Sequence, residues 1–338
     1  MEYRPLGRTG VHVSKLCLGT MMFGAWGNVD HDDSIRIIRH ALDAGINFVD
    51  TADVYSAGES EEIVGKALKG RRDDVVLATK LGVPMDEQAN HRGGSRRWII
   101  AEVENSLRRL GTDWIDLYQM HRPDPETDID ETLGALTDLV QQGKVRYIGS
   151  SSFSAGDIVE AQWAARDRRL ERFRTEQPPY SILVRGIELD VLPTARRHGM
   201  GILTYSPLAG GWLSGSWSAN SSPTSPARQR LAARFDMSLP ENQRKLEAVQ
   251  QLARLADEAG ASLIELAIAF VTNHPAVTSA IIGPRTTEQL DSQLPAADVV
   301  LDPAILERID EIVQSGVNLN PADTSYGEHV LKPALRRR

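Results

Sequence analysis

The sequence predicts a single (β/α)8 barrel of the TIM type, and three observations predict it. Eight short apolar runs, rich in β-branched residues, recur along the 338 residues, and helical periodicity fills the segments between them. No domain boundary or internal repeat interrupts this alternation, which implies parallel strands covered by crossover helices. Eight such units fit one closed barrel. We therefore expect one domain over residues 1–338, with 315–338 as a C-terminal tail.

The predicted strands are the apolar runs themselves. They lie at 15–18, 46–49, 75–78, 114–118, 145–148, 172–175, 201–204 and 279–282. Helical periodicity is found over 35–42, 99–110, 241–258 and 262–272, and from about residue 59. An open doubly wound sheet is the alternative architecture, but its Gly-x-Gly-x-x-Gly dinucleotide motif occurs nowhere in the chain. A Walker P-loop is absent as well.

Two segments lie outside the repeated units. Before the first strand, extended pieces at 3–6 and 11–13 flank a turn-rich link, which predicts a β-hairpin able to plug the bottom of the barrel. After the seventh strand, residues 207–226 are crowded with Gly, Ser, Pro and Trp and predict a long loop. Because helical periodicity resumes near residue 241, this loop is an insertion in a continuing domain.

Composition excludes several classes of function. There are 38 Lys plus Arg against 46 Asp plus Glu, a formal net charge of −8, so we expect no nucleic-acid partner. Cys17 is the only cysteine, which excludes an intramolecular disulfide and fits a reducing compartment. No apolar signal segment and no run of 18 apolar residues occurs. We therefore expect no membrane partner and a cytoplasmic location.

Ionisable residues follow three neighbouring predicted strands: Asp50 the second, Lys80 the third and His121 the fourth. Each alone has a structural explanation, as a helix cap, a snorkelling lysine or a turn residue. In this architecture the carboxyl ends of the strands form the active site, so the three converge on one mouth, which favours a catalytic role. Tyr55 follows in the adjacent loop. We expect the lysine ammonium to lower the Tyr55 pKa from about 10, making the phenol an acid usable near neutral pH.

The motifs around these residues are similar to those of the aldo-keto reductases, over about residues 3–312. They are GINFVDTA (45–52) followed by Tyr55, ATK (78–80), LGTDWIDL (110–117) running into His121, GKVRYIG (143–149) and YSPL (205–208). The resemblance implies that Tyr55 donates a proton to a carbonyl oxygen, with Lys80 and Asp50 tuning it. It also implies that His121 orients the carbonyl, that NADPH supplies the hydride without a Rossmann fold, and that no metal is required.

The same resemblance implies an NADPH site in loops at the strand ends. The nicotinamide is expected to stack on Tyr205, and Arg285 to meet the adenosine 2′-phosphate. The full expected set is Gly19, Thr20, Met21, Asp50, Ser151, Ser152, Gln177, Tyr205, Ser206, Pro207, Leu208, Gly210, Gly283, Arg285, Gln289 and Gln293. Two positions depart from many relatives: Ser152 replaces an Asn that holds the carboxamide, and Gln293 replaces an Asn near the adenine.

Trp26 and Trp212, in Gly-rich loops after strands, are the predicted walls of a substrate pocket that also includes Tyr55 and His121. Such a mouth suits apolar aldehydes and ketones. Two other functions stay open. One is an NADPH-sensing regulatory subunit, because the family includes barrels resembling potassium-channel β subunits. The other is a barrel isomerase or lyase acting on phosphorylated substrates, against which Tyr205 and the Arg285 segment count. Monomer and homo-oligomer are both compatible with the sequence.

Overall fold

Eight parallel strands close into a barrel in the computed structural model, which describes residues 1–215, 217 and 231–324. The strands are β3 (Leu16–Gly19), β4 (Phe48–Asp50), β5 (Val76–Leu81), β6 (Ile115–Met120), β7 (Val145–Ser151), β8 (Thr175–Gln177), β9 (Gly201–Tyr205) and β10 (Ser279–Ile282). Each pairs with the next in the chain, and β10 pairs with β3 to complete the ring. The predicted (β/α)8 fold is confirmed.

Helices cover the outside of the barrel. They are α1 (His31–Asp43), α2 (Glu59–Leu68), α3 (Arg96–Leu110), α4 (Ile129–Gln141), α5 (Ala155–Arg168), α6 (Val191–Arg197), α7 (Pro240–Glu258), α8 (Leu263–Asn273), α9 (Thr287–Gln293) and α10 (Pro303–Ile312). Their starts follow local side-chain chemistry, because Ser154 and Ser262 each form a capping box with the acidic residue three positions later. No helix in the described part of the chain is long and apolar enough to cross a membrane.

Every predicted strand overlaps an observed one, and the sixth shows the largest displacement. The prediction was 172–175, whereas β8 is Thr175–Gln177. All three side chains of β8 are polar and buried, and Glu176 accepts hydrogen bonds from Ser150 Oγ at 2.5 Å and from the Phe153 amide at 3.1 Å. Apolar periodicity cannot identify a strand whose buried side chains are all polar.

An N-terminal hairpin closes the bottom of the barrel. Its strands, β1 (Tyr3–Pro5) and β2 (His12–Ser14), pair antiparallel, as expected. Apolar side chains of the hairpin join inward-facing residues of the barrel strands in one cluster. The buried members are Leu6, Val13, Cys17, Phe48, Ala78, Leu117, Leu203 and Ile281. Cys17 is therefore a core residue, and the hairpin contributes Leu6 and Val13 to the barrel interior.

A buried ionic network lies between α2 and α3, behind the strand that carries Lys80. Arg109 donates to Glu61 at 2.6 Å and to Glu102 at 2.5 Å. Glu61 also accepts from Thr79 Oγ1 on β5 at 2.6 Å. Burial disfavours the guanidinium, but the two carboxylates outweigh it and raise the Arg109 pKa. The network thus fixes both helices to the strand beside the candidate site.

The predicted long loop after the seventh strand lies partly outside the described residues. Its first part contains a 3-10 segment, Ala209–Ser214, with left-handed backbone at Gly210 and Gly211. Residues 216 and 218–230 are outside the described range, as are 325–338 of the predicted tail. The described end of the chain returns to this region, because Lys245 on α7 lies 2.7 Å from Asp323.

We expect Gly7→Ala to destabilise the protein more than Gly10→Ala, although both glycines have positive φ in the hairpin turn. An added Cβ at Gly7 would lie 2.7 Å from the Gly201 amide nitrogen, whereas at Gly10 it would meet nothing within 4 Å. Backbone strain should cost about 1–2 kcal/mol in either variant. Steric overlap should cost Gly7→Ala about 1–3 kcal/mol more. Urea unfolding measures both, and equal losses would contradict this account of the plug.

Candidate active site

A lysine ammonium with no exposed surface lies at the mouth of the barrel. Lys80 Nζ donates to Asp50 Oδ1 at 2.5 Å, to the Thr51 carbonyl at 2.8 Å and to the Tyr55 hydroxyl at 3.2 Å. These three acceptors use all three N–H groups. Asp50 ends β4 and Lys80 is the fifth residue of β5, so the parallel register brings both to the same edge. The predicted convergence at this edge is observed.

The Tyr55 ring is close to two other aromatic groups of the mouth. His121 follows β6, and its ring centroid is 5.7 Å from that of Tyr55 in an edge-on arrangement. The Trp26 ring centroid lies 6.1 Å from that of Tyr55. Trp26 is partly exposed. The four predicted catalytic residues and Trp26 therefore form one cluster.

Burial sets the protonation states in this cluster. It raises the pKa of Tyr55 and outweighs the opposing effect of the Lys80 ammonium, so the expected lowering of this pKa is wrong. For Lys80 the attraction of Asp50 and Tyr55 exceeds the cost of burial and raises the pKa. Burial, with the nearby Lys80 and Arg122 charges, holds the pKa of His121 well below its usual range. At neutral pH the site thus contains a protonated phenol, an ammonium and a neutral imidazole.

Two glutamine amides hold the second oxygen of the Asp50 carboxylate. Gln177 Nε2 donates to Asp50 Oδ2 at 2.9 Å and Gln119 Nε2 donates at 3.2 Å. The sequence predicted Gln177 as a cofactor contact but missed Gln119. Gln119 lies two residues before His121, so strand alternation placed it on the same face of β6 and could have identified it.

The loop that carries Tyr55 has an unusual backbone. Ser56 and Ala57 adopt left-handed conformations with φ of 51° and 57°. Ser56 Oγ accepts from the Trp26 amide at 3.1 Å, and Glu59, at the start of α2, accepts from the Ala25 amide at 2.7 Å. The loop after β4 therefore fixes the loop after β3, and with it the position of Trp26.

One group of the predicted cofactor contacts lies at the end of β9 and in the loop that follows it. Ser206 and Gly210 are exposed, Tyr205 and Leu208 are partly exposed, and Pro207 is buried. Ser152 Oγ lies 3.4 Å from the Tyr205 hydroxyl, so the ends of β7 and β9 meet above the barrel. This segment therefore lies at the carboxyl ends of the strands, the same end of the barrel as Tyr55.

Another group of predicted cofactor contacts lies after β10. Gly283 and Arg285 are exposed, and a Cβ added at Gly283 would meet nothing within 4 Å. The Arg285 amide donates to Gln289 Oε1 at 2.8 Å, and its carbonyl accepts from Asn28 Nδ2 at 3.1 Å. These bonds join the loops after β10 and β3. Gln293, on α9, is buried.

Several predicted cofactor contacts have side chains that are hydrogen-bonded to other groups of the protein. Thr20 Oγ1 lies 2.9 Å from Ser60 Oγ, and Ser151 Oγ donates to the Gln177 carbonyl at 2.9 Å. Gly19 is buried beside β10, whereas Met21 is exposed.

Trp212 is buried, which differs from its predicted place in an open pocket wall. It has no exposed surface, packs with Trp217 and Phe235, and donates from Nε1 to the Arg234 carbonyl at 3.1 Å. It contributes to the core of the loop instead of an open pocket wall. In the described parts of the chain, no group of three or more His, Cys, Asp or Glu is arranged to hold a metal ion.

Comparisons with known proteins show which family the chain resembles. The sequence profile of the Aldo/keto reductase family matches residues 15–314. The chain is 44% identical to "Uncharacterized oxidoreductase YrpG" of Bacillus subtilis, over 92% of this chain and 96% of that protein. It is 39% identical to "Aldo-keto reductase YhdN" of the same organism, over 86% and 87%. It is 37% identical to "Probable voltage-gated potassium channel subunit beta" of Arabidopsis thaliana, over 93% and 97%.

We expect His121→Asn to change how stability depends on pH. A depressed pKa in the folded protein contributes stability above the unfolded value of about 6.5, and this contribution is lost as pH falls. Between pH 7.5 and 5.5 the wild type should therefore lose about 1.4 kcal/mol of unfolding free energy that the variant retains. Urea unfolding at both pH values measures this, with His12→Asn, at an exposed histidine of β2, as the control. Parallel pH dependence in wild type and His121→Asn would show that this histidine is not held neutral.

Proposed function

The chain belongs to the aldo/keto reductase family, and from that premise we propose that it reduces aldehydes or ketones to alcohols with NADPH, or catalyses the reverse oxidation, with Tyr55 as proton donor. One observation carries the proposal: a fully buried Lys80 ammonium bonds both Asp50 and the Tyr55 hydroxyl, beside a neutral His121. A cation next to a phenol stabilises the phenolate that remains after proton transfer, which is what reduction of a carbonyl group requires.

The four residues divide the work of carbonyl reduction. Bound NADPH would supply a hydride to the carbonyl carbon, the Tyr55 proton goes to the oxygen, and the products are an alcohol and NADP⁺. Among the residues that the structure describes, His121 Nδ1 has no hydrogen-bond partner and is buried. This leaves Nε2 of the neutral imidazole to donate to the carbonyl oxygen and orient it. Because the Tyr55 pKa is raised, its phenol keeps the proton until the substrate oxygen accepts it.

The loops at the strand ends fit a dinucleotide. Tyr205, on which the nicotinamide would stack, is partly exposed, and Ser206 and Gly210, which follow it, are exposed. Space around Gly283 and the exposed Arg285 guanidinium suit a phosphate group. We propose that these residues hold NADPH, with Arg285 on its 2′-phosphate. Gln177 is already bonded to Asp50, so its role toward the carboxamide would be shared with that contact.

A regulatory subunit with little turnover is the second candidate. It is favoured by the 37% identity to the Arabidopsis thaliana protein named as a probable potassium channel β subunit. The side chains of all four proposed catalytic residues are hydrogen-bonded or in ring contact with one another. This supports an enzyme that turns over substrate as the first candidate. NADPH binding without consumption of any aldehyde or ketone would instead favour the regulatory function.

We expect Tyr55→Phe to lower kcat for aldehyde reduction by about 10²–10⁴ because the proton donor is lost. The dissociation constant for NADPH should stay within a few fold of wild type, since the hydroxyl bonds Lys80 within the protein. Stopped-flow absorbance and fluorescence titration measure the two quantities. Tyr3→Phe on β1 is the control and should keep full activity. It removes a hydroxyl that donates a hydrogen bond to the Gly45 carbonyl. A Tyr55→Phe enzyme with nearly normal kcat would rule out this donor.

We expect Arg285→Gln to raise the KM for NADPH roughly tenfold, because one charge-assisted contact with the 2′-phosphate is worth about 1.5 kcal/mol. The KM for NADH, which lacks that phosphate, should not change. Steady-state kinetics with both cofactors tests this, with Arg254→Gln at an exposed position of α7 as the matched control. An equal effect on NADH would show that Arg285 acts through loop structure and not through the phosphate.

A further inference from the structure

Arg122 is a cation at the barrel mouth that the proposed proton and hydride transfers do not use. It directly follows His121 at the carboxyl end of β6 and is partly buried. Its Nη1 donates to the His121 carbonyl at 2.7 Å and to Ser152 Oγ at 3.1 Å. These two bonds span the ends of β6 and β7 and use both N–H groups of Nη1. The guanidinium is therefore held in one orientation.

The other edge of this guanidinium is free. Within the described residues, Nε and Nη2 of Arg122 have no hydrogen-bond partner, and no carboxylate lies within 4.0 Å. Neither nitrogen is among the buried donors that lack a partner, so the edge meets accessible space. Nε–H and one Nη2–H point in parallel, and this fork matches the two oxygens of a carboxylate.

The guanidinium lies at the strand ends that carry the proposed site. It donates to the carbonyl of His121, and its other partner, Ser152 Oγ, lies 3.4 Å from the Tyr205 hydroxyl. Lys80 is paired with Asp50, whereas Arg122 has no carboxylate partner among the described residues. Arg122 is therefore an unpaired cation at the mouth of a protein whose formal net charge is −8. An anion that enters with the substrate would meet it.

We propose that Arg122 binds a carboxylate of the substrate, so that the enzyme favours aldehydes and ketones carrying a carboxylate group over neutral carbonyl compounds. The inference rests on the proposed carbonyl reduction and narrows its substrate class. Arg122 acts here as a specificity-determining residue: it holds one end of the substrate while Tyr55 and His121 act on the carbonyl group at the other. The partly exposed Trp26 ring, 6.1 Å from that of Tyr55, would contact the aliphatic or aryl body of such a substrate.

The test compares matched substrates that differ in one carboxylate. Succinic semialdehyde is measured against butanal, and the three carboxybenzaldehyde isomers against benzaldehyde, as kcat/KM with NADPH. The wild type should favour the acid in at least one pair by tenfold or more, and added salt should reduce the preference. Arg122→Gln should bring the ratio to one or below, and Arg122→Lys should retain part of it. The ratio is the readout because both rates can fall when the bonds to His121 and Ser152 are lost.

A binding measurement separates this inference from the proposed function. Succinate and benzoate are titrated into the NADPH-loaded wild type, Arg122→Gln and the Arg254→Gln control, and nicotinamide fluorescence is followed. A saturable change in nicotinamide fluorescence with either anion is expected in the wild type and the control. Its loss only in Arg122→Gln supports the anion site even if no aldehyde is turned over.

Three results would overturn the inference. Turnover of neutral and acidic aldehydes with equal kcat/KM would refute it and leave the reductase function intact. If Arg122→Gln leaves the kcat/KM ratio of acidic to neutral substrates unchanged but raises the NADPH dissociation constant, Arg122 would instead contact the cofactor, next to Ser152. Absence of both turnover and anion binding would refute the inference and the proposed function together.

Discussion

The buried Lys80–Asp50 ion pair is the constraint on which the mouth of the barrel depends. An uncompensated ammonium without solvent would cost several kcal/mol, so each of its N–H groups needs an acceptor. Asp50, the Thr51 carbonyl and Tyr55 supply these acceptors. The outer oxygen of Asp50 in turn needs donors, and two glutamine amides from β6 and β8 provide them. One charge thus connects four strands of the barrel.

The same low-polarity surroundings separate the protonation states of neighbouring groups. Burial penalises the charged form of every group, so it keeps the Tyr55 phenol protonated and the His121 imidazole neutral. Lys80 stays charged because its partner is at hydrogen-bond distance. A proton donor, a neutral hydrogen-bond donor and a fixed cation therefore coexist within one small volume, and Arg122 adds a second cation at its edge.

Precise placement of these groups depends on structure behind the site. The Glu61–Arg109–Glu102 network holds α2 and α3 against β5. Thr79, the residue before Lys80 on that strand, donates a hydrogen bond to Glu61. The left-handed turn after Tyr55 is held by hydrogen bonds to the loop after β3. Backbone strain of this kind persists only where surrounding contacts determine it, and here it places the phenol over the lysine.

The fold class, the order of the strands and the residues at their ends could be predicted from the sequence. Asp50, Lys80 and His121 could be assigned to one mouth because parallel barrel strands bring their carboxyl ends together. Tertiary contacts were needed to establish the position of β8, the burial of Trp212, the contacts of Gln119 and Arg122, and the direction in which the Tyr55 pKa shifts. Local patterns report which face a side chain takes, whereas desolvation and hydrogen-bond partners depend on residues distant in the chain.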